Sequence, residues 1–315
     1  MIRYNLNMQV PAALKPVNYT DTLIFAGSCF SEHIANKLKA LNINVHALPN
    51  GIVFNPLSVL EPFKRLLAGK EFAEDDLEFH DGYWHGIYHH GVFSETSVSD
   101  ALHKMNHALH QLRRDLEEAS HLFLTFGTAY AYFRKSDNRV VANCHKIPQT
   151  EFHKHLLDLP IMFNECQSIL QQLQAKYPKL HVVLTVSPVK HLRDGVSENL
   201  LSKSLLIQLC HQLRNTMSGV DYFPAYEIVN EDLRDYRFFE SDGAHPNAMA
   251  IDCVFEKFTG SSCNIVTQDY IRDLTAFNKL CAHKIQKAGG QEYIKLMSAI
   301  EQKRAQLSAL YQIDL

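Results

Sequence analysis

The 315-residue chain has no apolar run approaching the roughly 20 residues that a membrane-spanning helix needs. It has no excess of one charge either, since 31 basic and 34 acidic residues leave a net −3. That balance gives neither the basic face of a nucleic-acid binder nor a polybasic contact for a membrane. Seven cysteines form no CxxC pair and no secreted-scaffold spacing, so reduced thiols are the expectation. The opening M-I-R-Y-N-L-N-M-Q-V-P lacks the apolar centre of a signal peptide, and a cytoplasmic location is expected. Internal repeats, low-complexity tracts and clear linkers are missing too. One domain with insertions is therefore the expected organisation.

What is present alternates between two periodicities. Residues 23–26 are a continuous apolar run, suited to a strand buried on both faces. From Ser31, read as an N-cap, Ile34, Ala35, Leu38 and Leu41 fall at helical spacing. Residues 44–48 read as a second strand, halted by Pro49-Asn50-Gly51. Strand, helix and strand within about 30 residues is the length of a βαβ unit. Helices are predicted over 57–67, over 99–118 with Ser99 as cap, over 160–176, over 197–217 and after Pro246. Further strands are predicted over 121–126, over 180–186 and from 220, with a β-hairpin inserted at 130–142.

This pattern predicts an α/β fold with a mostly parallel five-stranded sheet and right-handed crossovers. Residues 1–262 form the expected domain. Residues 263–315 read as a helical C-terminal extension, with Ile294, Met297, Ile300, Leu307, Leu310 and Tyr311 in an apolar stripe. That stripe packs on the domain or forms a homodimer seam.

In a parallel α/β sheet, ligands bind beyond the carboxyl ends of the strands. Four stretches fall there: Ser28, Asn50-Gly51, Gly127-Thr128, and the loop from Ser187 to His191. A serine hydroxyl is a weak nucleophile until a base takes its proton. In E-S-D-G-A-H-P-N (240–247), Asp242 and His245 lie three apart, so one turn of chain can hold the carboxylate against Nδ1. Nε2 is then free to face a serine.

Several blocks resemble the GSCFA-domain family, a branch of the SGNH/GDSL hydrolase superfamily. They are G-S-C-F-S-E (27–32), N-G-I-V-F-N-P (50–56), F-G-T-A-Y (126–130), N-C-H-K-I-P (143–148), T-V-S-P-V-K-H-L-R-D-G (185–195), L-S-K-S (201–204), Y-F-P-A-Y-E-I (222–228), L-R-D-Y-R-F-F (233–239) and D-G-A-H-P-N (242–247). The resemblance implies a three-layer, flavodoxin-like fold and hydrolysis or transfer of an acyl ester, such as an O-acetyl carbohydrate. It casts Ser28 as nucleophile, His245 as base and Asp242 as its partner. The oxyanion would be held by the N–H groups of Ser28 and Gly51. Many relatives carry G-x-N-D after the third strand, whereas this chain reads Gly127-Thr128-Ala129-Tyr130. Asn143 or Thr128 would replace the missing amide. Asn50, Asn55, Trp84, Gly127, Thr128, His145 and His191 are the remaining candidates for substrate contact.

Three readings compete. The first is a serine esterase or acyltransferase acting on a small ester or acylated sugar, with no cofactor and no metal. The second is a non-hydrolytic binding module that keeps the same pocket. The third is a thiol-dependent redox protein using Cys29, whose position at a helix N-terminus can lower a thiol's pKa. Ser28 also has a bland alternative as a helix cap. The histidines at 80, 85, 89 and 90 invite a metal reading, but their spacing fits no familiar zinc pattern.

Overall fold

The computed structural model describes residues 6–283 and 290–315; residues 284–289 of the expected extension lie outside that range. The first apolar run forms β1 (Thr22–Gly27). Its residues divide between two cores, Leu23 and Phe25 on one side, Ile24 and Ala26 on the other. Helix α1 (Cys29–Lys39) follows at once, and β2 (Val45–Ile52) lies parallel beside β1. Next come α2 (Pro56–Ala68), the antiparallel hairpin of β3 (Leu77–His80) and β4 (Tyr83–Gly86), and α3 (Val98–Glu118). Strand β5 (Ala119–Phe126) then pairs with the other side of β1.

An insertion after β5 makes a small separate sheet of β6 (Tyr130–Arg134), β7 (Val140–Val141) and β8 (Phe152–Leu156), in the order β7-β6-β8. The main fold resumes with α4 (Leu159–Lys176), β9 (His181–Val186), α5 (Val196–Thr216) and β10 (Val220–Tyr222). A single turn α6 (Ala225–Glu227) leads towards α7 (Ala248–Ser262), and α8 (Ile265–Cys281) and α9 (Gln291–Tyr311) close the chain.

The five-stranded sheet is parallel throughout, in the order β10-β9-β5-β1-β2. Counted along the chain this is 2-1-3-4-5, the flavodoxin-like order, whose switch point falls between the first and third strands. One face is covered by α2, α3, α4 and α5, and the other by α1, α7, α8 and α9. Three layers result. The extension packs on the domain here: Tyr270 and Leu307 share a core with Leu38, and the Tyr270 hydroxyl donates to Leu41 O at 2.8 Å.

Some local expectations need correction. The cap of α1 is Ser28, because Ser31 already lies inside the first turn, buried, with its Oγ accepting from Thr125 Oγ1. The cap of α3 is Ser97, whose Oγ accepts from the Asp100 N–H. Pro49-Asn50-Gly51 does not halt β2. Phe25 pairs with Ala47 and Gly27 with Ile52, so the intervening residues bulge out and the strand resumes. Such a bulge, with a proline inside it, is tolerated on an edge strand. Strand β8 was not expected at all. Five histidines (85, 89, 121, 145 and 181) are buried. Among the described residues no helix is long and apolar enough to cross a membrane.

Candidate active site

The end of β1 is built for close approach. Gly27 has φ +122°, and a Cβ there would lie 2.1 Å from the Thr125 carbonyl oxygen of β5. Only glycine permits that spacing. Ser28 follows, its N–H donating to the same Thr125 O at 3.1 Å. It takes the N-cap position of α1, yet its hydroxyl bonds none of the helix's free amides. The residue is 1% exposed and Oγ has no hydrogen-bond partner. A buried hydroxyl left this way costs about 1–3 kcal/mol.

The carboxylate and imidazole meet as their spacing suggested. His245 Nδ1 lies 2.6 Å from Asp242 Oδ2, while Asp242 Oδ1 accepts the N–H groups of Ala244 (2.8 Å) and His245 (3.0 Å). These main-chain donors, followed by the imidazole, hold the Asp242 carboxyl down at about 2. The pair is half exposed, and Ser28 Oγ is not hydrogen-bonded to it. The loop is tied to the segment after β9 by Lys190 N–H donating to Ala244 O at 3.0 Å.

The main-chain amides after β5 are already in use. Gly127 and Thr128 both donate to Phe54 O, at 2.7 and 3.2 Å. With Ser28 N–H engaged by Thr125, that amide is not offered to a ligand as the chain stands. Gly51 occupies the β2 bulge at φ +77°, where a Cβ would meet His90 Cβ at 2.4 Å. His191 Nε2 sits close above Gly127, 3.2 Å from where a Cβ would lie, buried and without a partner. Burial, aided by the Lys203 and His245 charges, pulls this imidazole down to about 3, so it is neutral.

A cleft of about 720 Å³ opens beside these strand ends, between the small inserted sheet and the loop after β9. Of the expected contacts, Asn55, Thr128, Asn143 and His191 line it. Asn143 Oδ1 accepts the His145 N–H at 2.8 Å. The others are not among the cleft's lining residues. Asn50 is fully buried, with Nδ2 donating to Ser58 O and Tyr88 O. Trp84 packs on Phe79 at 5.1 Å and pairs with Glu95 through its main chain. His145 is buried, stacked 4.5 Å from His85, with Nε2 on Gly86 O.

The histidine cluster and Cys29 have surroundings of their own. His85 bonds Ser94 and His80 O, His89 lies between Phe72 and Phe93, and no metal-holding cluster occurs among the described residues. Burial pushes the Cys29 thiol up, the opposite of what activates a cysteine.

Lys203 is a residue that the sequence reading passed over. It is 1% exposed on α5, and Nζ donates to Gly127 O (2.6 Å) and Ser187 O (2.7 Å), joining the ends of β5 and β9. Burial brings it down to about 7. The signal was available: Lys203 falls on the face of α5 shared by Asn199, Leu206 and Cys210, all buried. A lysine on a buried stripe needs partners.

Together these features define a doubly wound α/β domain with a serine at its switch point and a carboxylate–imidazole pair on a late loop. The chain belongs to the GSCFA family, which it matches over residues 22–258. The match includes Ser28, Asp242 and His245 and stops short of α8. No curated protein matches the chain. Among solved structures it is similar to a carbohydrate esterase family 3 from Talaromyces cellulolyticus, at 6% identity and a TM-score of 0.36, covering 80% of this chain and 99% of that one. A superposition so loose says nothing of activity.

Proposed function

We propose that the protein is a serine-dependent esterase or acyltransferase in which Ser28 Oγ attacks an ester carbonyl. His245 Nε2 takes the hydroxyl proton, and Asp242 holds the imidazole and stabilises the imidazolium that forms. The acyl group passes to Ser28 and the alcohol leaves with the proton from His245. Water or an acceptor hydroxyl then releases the acyl group by the reverse sequence. In this reading Gly51 N–H, the Asn143 amide and the neutral His191 Nε2–H face the developing oxyanion. His191 would then do the work of the asparagine missing after β5. Removing one such donor typically costs about 10²–10³ in rate.

One observation carries the reading. A serine at a helix N-cap normally bonds a helix amide, and Ser28 does not; its hydroxyl is buried and unspent. Its neighbourhood at the sheet's carboxyl end and the Asp242–His245 pair support the assignment.

Fluorophosphonate labelling with mass spectrometry tests it. The adduct is expected on Ser28, lost in Ser28→Ala, strongly slowed in His245→Ala and kept in Cys29→Ala. An adduct that ignores His245 would remove the base from the scheme. No adduct on folded protein would favour a non-hydrolytic pocket. The enclosure of Ser28 Oγ and the absent asparagine are the features that speak for that second reading.

A further inference from the structure

The cleft beside the strand ends has a chemical character that the catalytic scheme does not use. Its charged lining consists of Lys146, Lys154, Arg193 and Asp194. Asp194 is paired with Lys154. Neither Lys146 nor Arg193 has a carboxylate within ion-pair distance among the described residues. A chain of net charge −3 has thus left two unneutralised cations facing one cleft. Lys154 is itself laid over the rings of Tyr130 and Tyr132, at 4.6 and 5.5 Å from their centroids, so the floor is aromatic.

The cations are positioned. Arg193 is on the turn Leu192–Asp194 directly after His191. Lys146 lines the same cleft from the 143–149 loop, in the left-handed region at φ +61°, next to His145 at φ +48°. Two successive non-glycine residues adopt that conformation only where the surroundings hold them. Here His145 is the anchor, buried and bonded to Gly86 O and Asn143 Oδ1. Cys144 feels both Arg193 and Lys154, whose charges oppose the upward push of its burial. Lys146 and Arg193 are themselves exposed; what sets Arg234 and Arg237 apart is that they lie beside Glu231 and Asp235 and do not line the cleft.

We propose that this cleft binds an oxyanion group, a carboxylate or a phosphate, carried by the substrate whose ester carbonyl reaches Ser28. Lys146 and Arg193 grip the anion, and Tyr130 and Tyr132 support the body that bears it. At about 720 Å³ the space suits a small molecule of sugar or aryl size. Arg193 offers a planar fork for two parallel bonds to an oxyanion, while Lys146 adds a point charge. His191 and Thr128 line the end nearest Gly127, so the substrate would lie with its ester there and its anion towards the outer rim. The assignment rests on the ester-directed reading above, and the experiment separates the two.

Hydrolysis of 4-nitrophenyl acetate, 4-acetoxybenzoate and 4-acetoxyphenyl phosphate is compared in the full-length wild type and in the double variant Lys146→Gln/Arg193→Gln. In parallel, binding of benzoate and phenyl phosphate to both proteins is followed by ligand-observed NMR. Wild type is expected to favour one anionic ester in kcat/KM and to bind the matching anion, which tells carboxylate from phosphate. In the double variant the anionic-to-neutral ratio should fall about tenfold or more, as loss of a charge-assisted contact implies. Added salt should erode the preference in wild type. Hydrolysis with no anionic preference and no anion binding overturns the cleft proposal and leaves the serine scheme standing. Anion binding that needs Lys146 and Arg193, with no ester turned over, supports the cleft and counts against the serine scheme. Binding or preference unchanged in the double variant overturns the proposal outright.

Discussion

Ser28 bears a cost that a structural serine would not. Replacing it with alanine removes an unpartnered buried hydroxyl, so Ser28→Ala is expected to be as stable as wild type or more stable by about 1 kcal/mol. Urea unfolding measures this, and a clear loss of stability would mean that the hydroxyl serves the fold. The residues of the proposed site were unevenly legible. Asp242 and His245 sit three apart, so local spacing was enough to predict a bond now seen at 2.6 Å. Ser28 could be read as nucleophile or cap, and only its idle hydroxyl separates the two. The exposed pair Lys146 and Arg193 was not legible, because 47 positions of sequence separate residues that the fold brings to one cleft. Asn50 and Trp84 show why position alone does not decide a role: a polar or aromatic residue near a strand end is as readily a brace as a contact.

Elements were easier to read than their edges. The continuous apolar runs of β1, β5 and β9 announce strands buried on both faces, and the long amphipathic pattern of α3 announces a helix. Strand β8 escaped because Lys154 takes an inward position in F-H-K-H-L, between Phe152 and Leu156, and so breaks the apolar alternation. The end of β2 escaped because proline usually stops a strand, whereas here it lies in the bulge. At this scale the junction of β1 and α1 is the most constrained point. Gly27→Ala would combine a forbidden φ with a Cβ 2.1 Å from Thr125 O. A loss on the order of 4 kcal/mol is expected, read as a large fall in thermal midpoint. A midpoint within a few degrees of wild type would show that β1 and β5 can part without penalty.

Across the whole molecule, buried imidazoles make stability depend on acid. Burial is the main cause that draws His89 and His191 down to about 3 and His121 and His145 to about 4, against an ordinary value of 6.5. The native state keeps them neutral while the unfolded chain protonates them below pH 6.5. Stability contributed above that pH is therefore lost as the pH falls towards 4. Each such group contributes a slope of about 1.4 kcal/mol per pH unit in that window. Urea midpoints taken from pH 7 down to pH 4 should drop steeply; a constant midpoint would contradict the burial of these rings.

The bulge in β2 has a consequence for how copies of the molecule meet. An open sheet offers two outer strands, each a template on which another chain can add by main-chain pairing. Here one outer strand, β10, is three residues long, and the other, β2, is broken by Leu48 at φ +57° and by Pro49, which has no N–H to give. Neither border presents an unbroken row of donors and acceptors. The irregularity that places Gly51 beside the first strand's end thereby also guards the molecule against growing into a fibre.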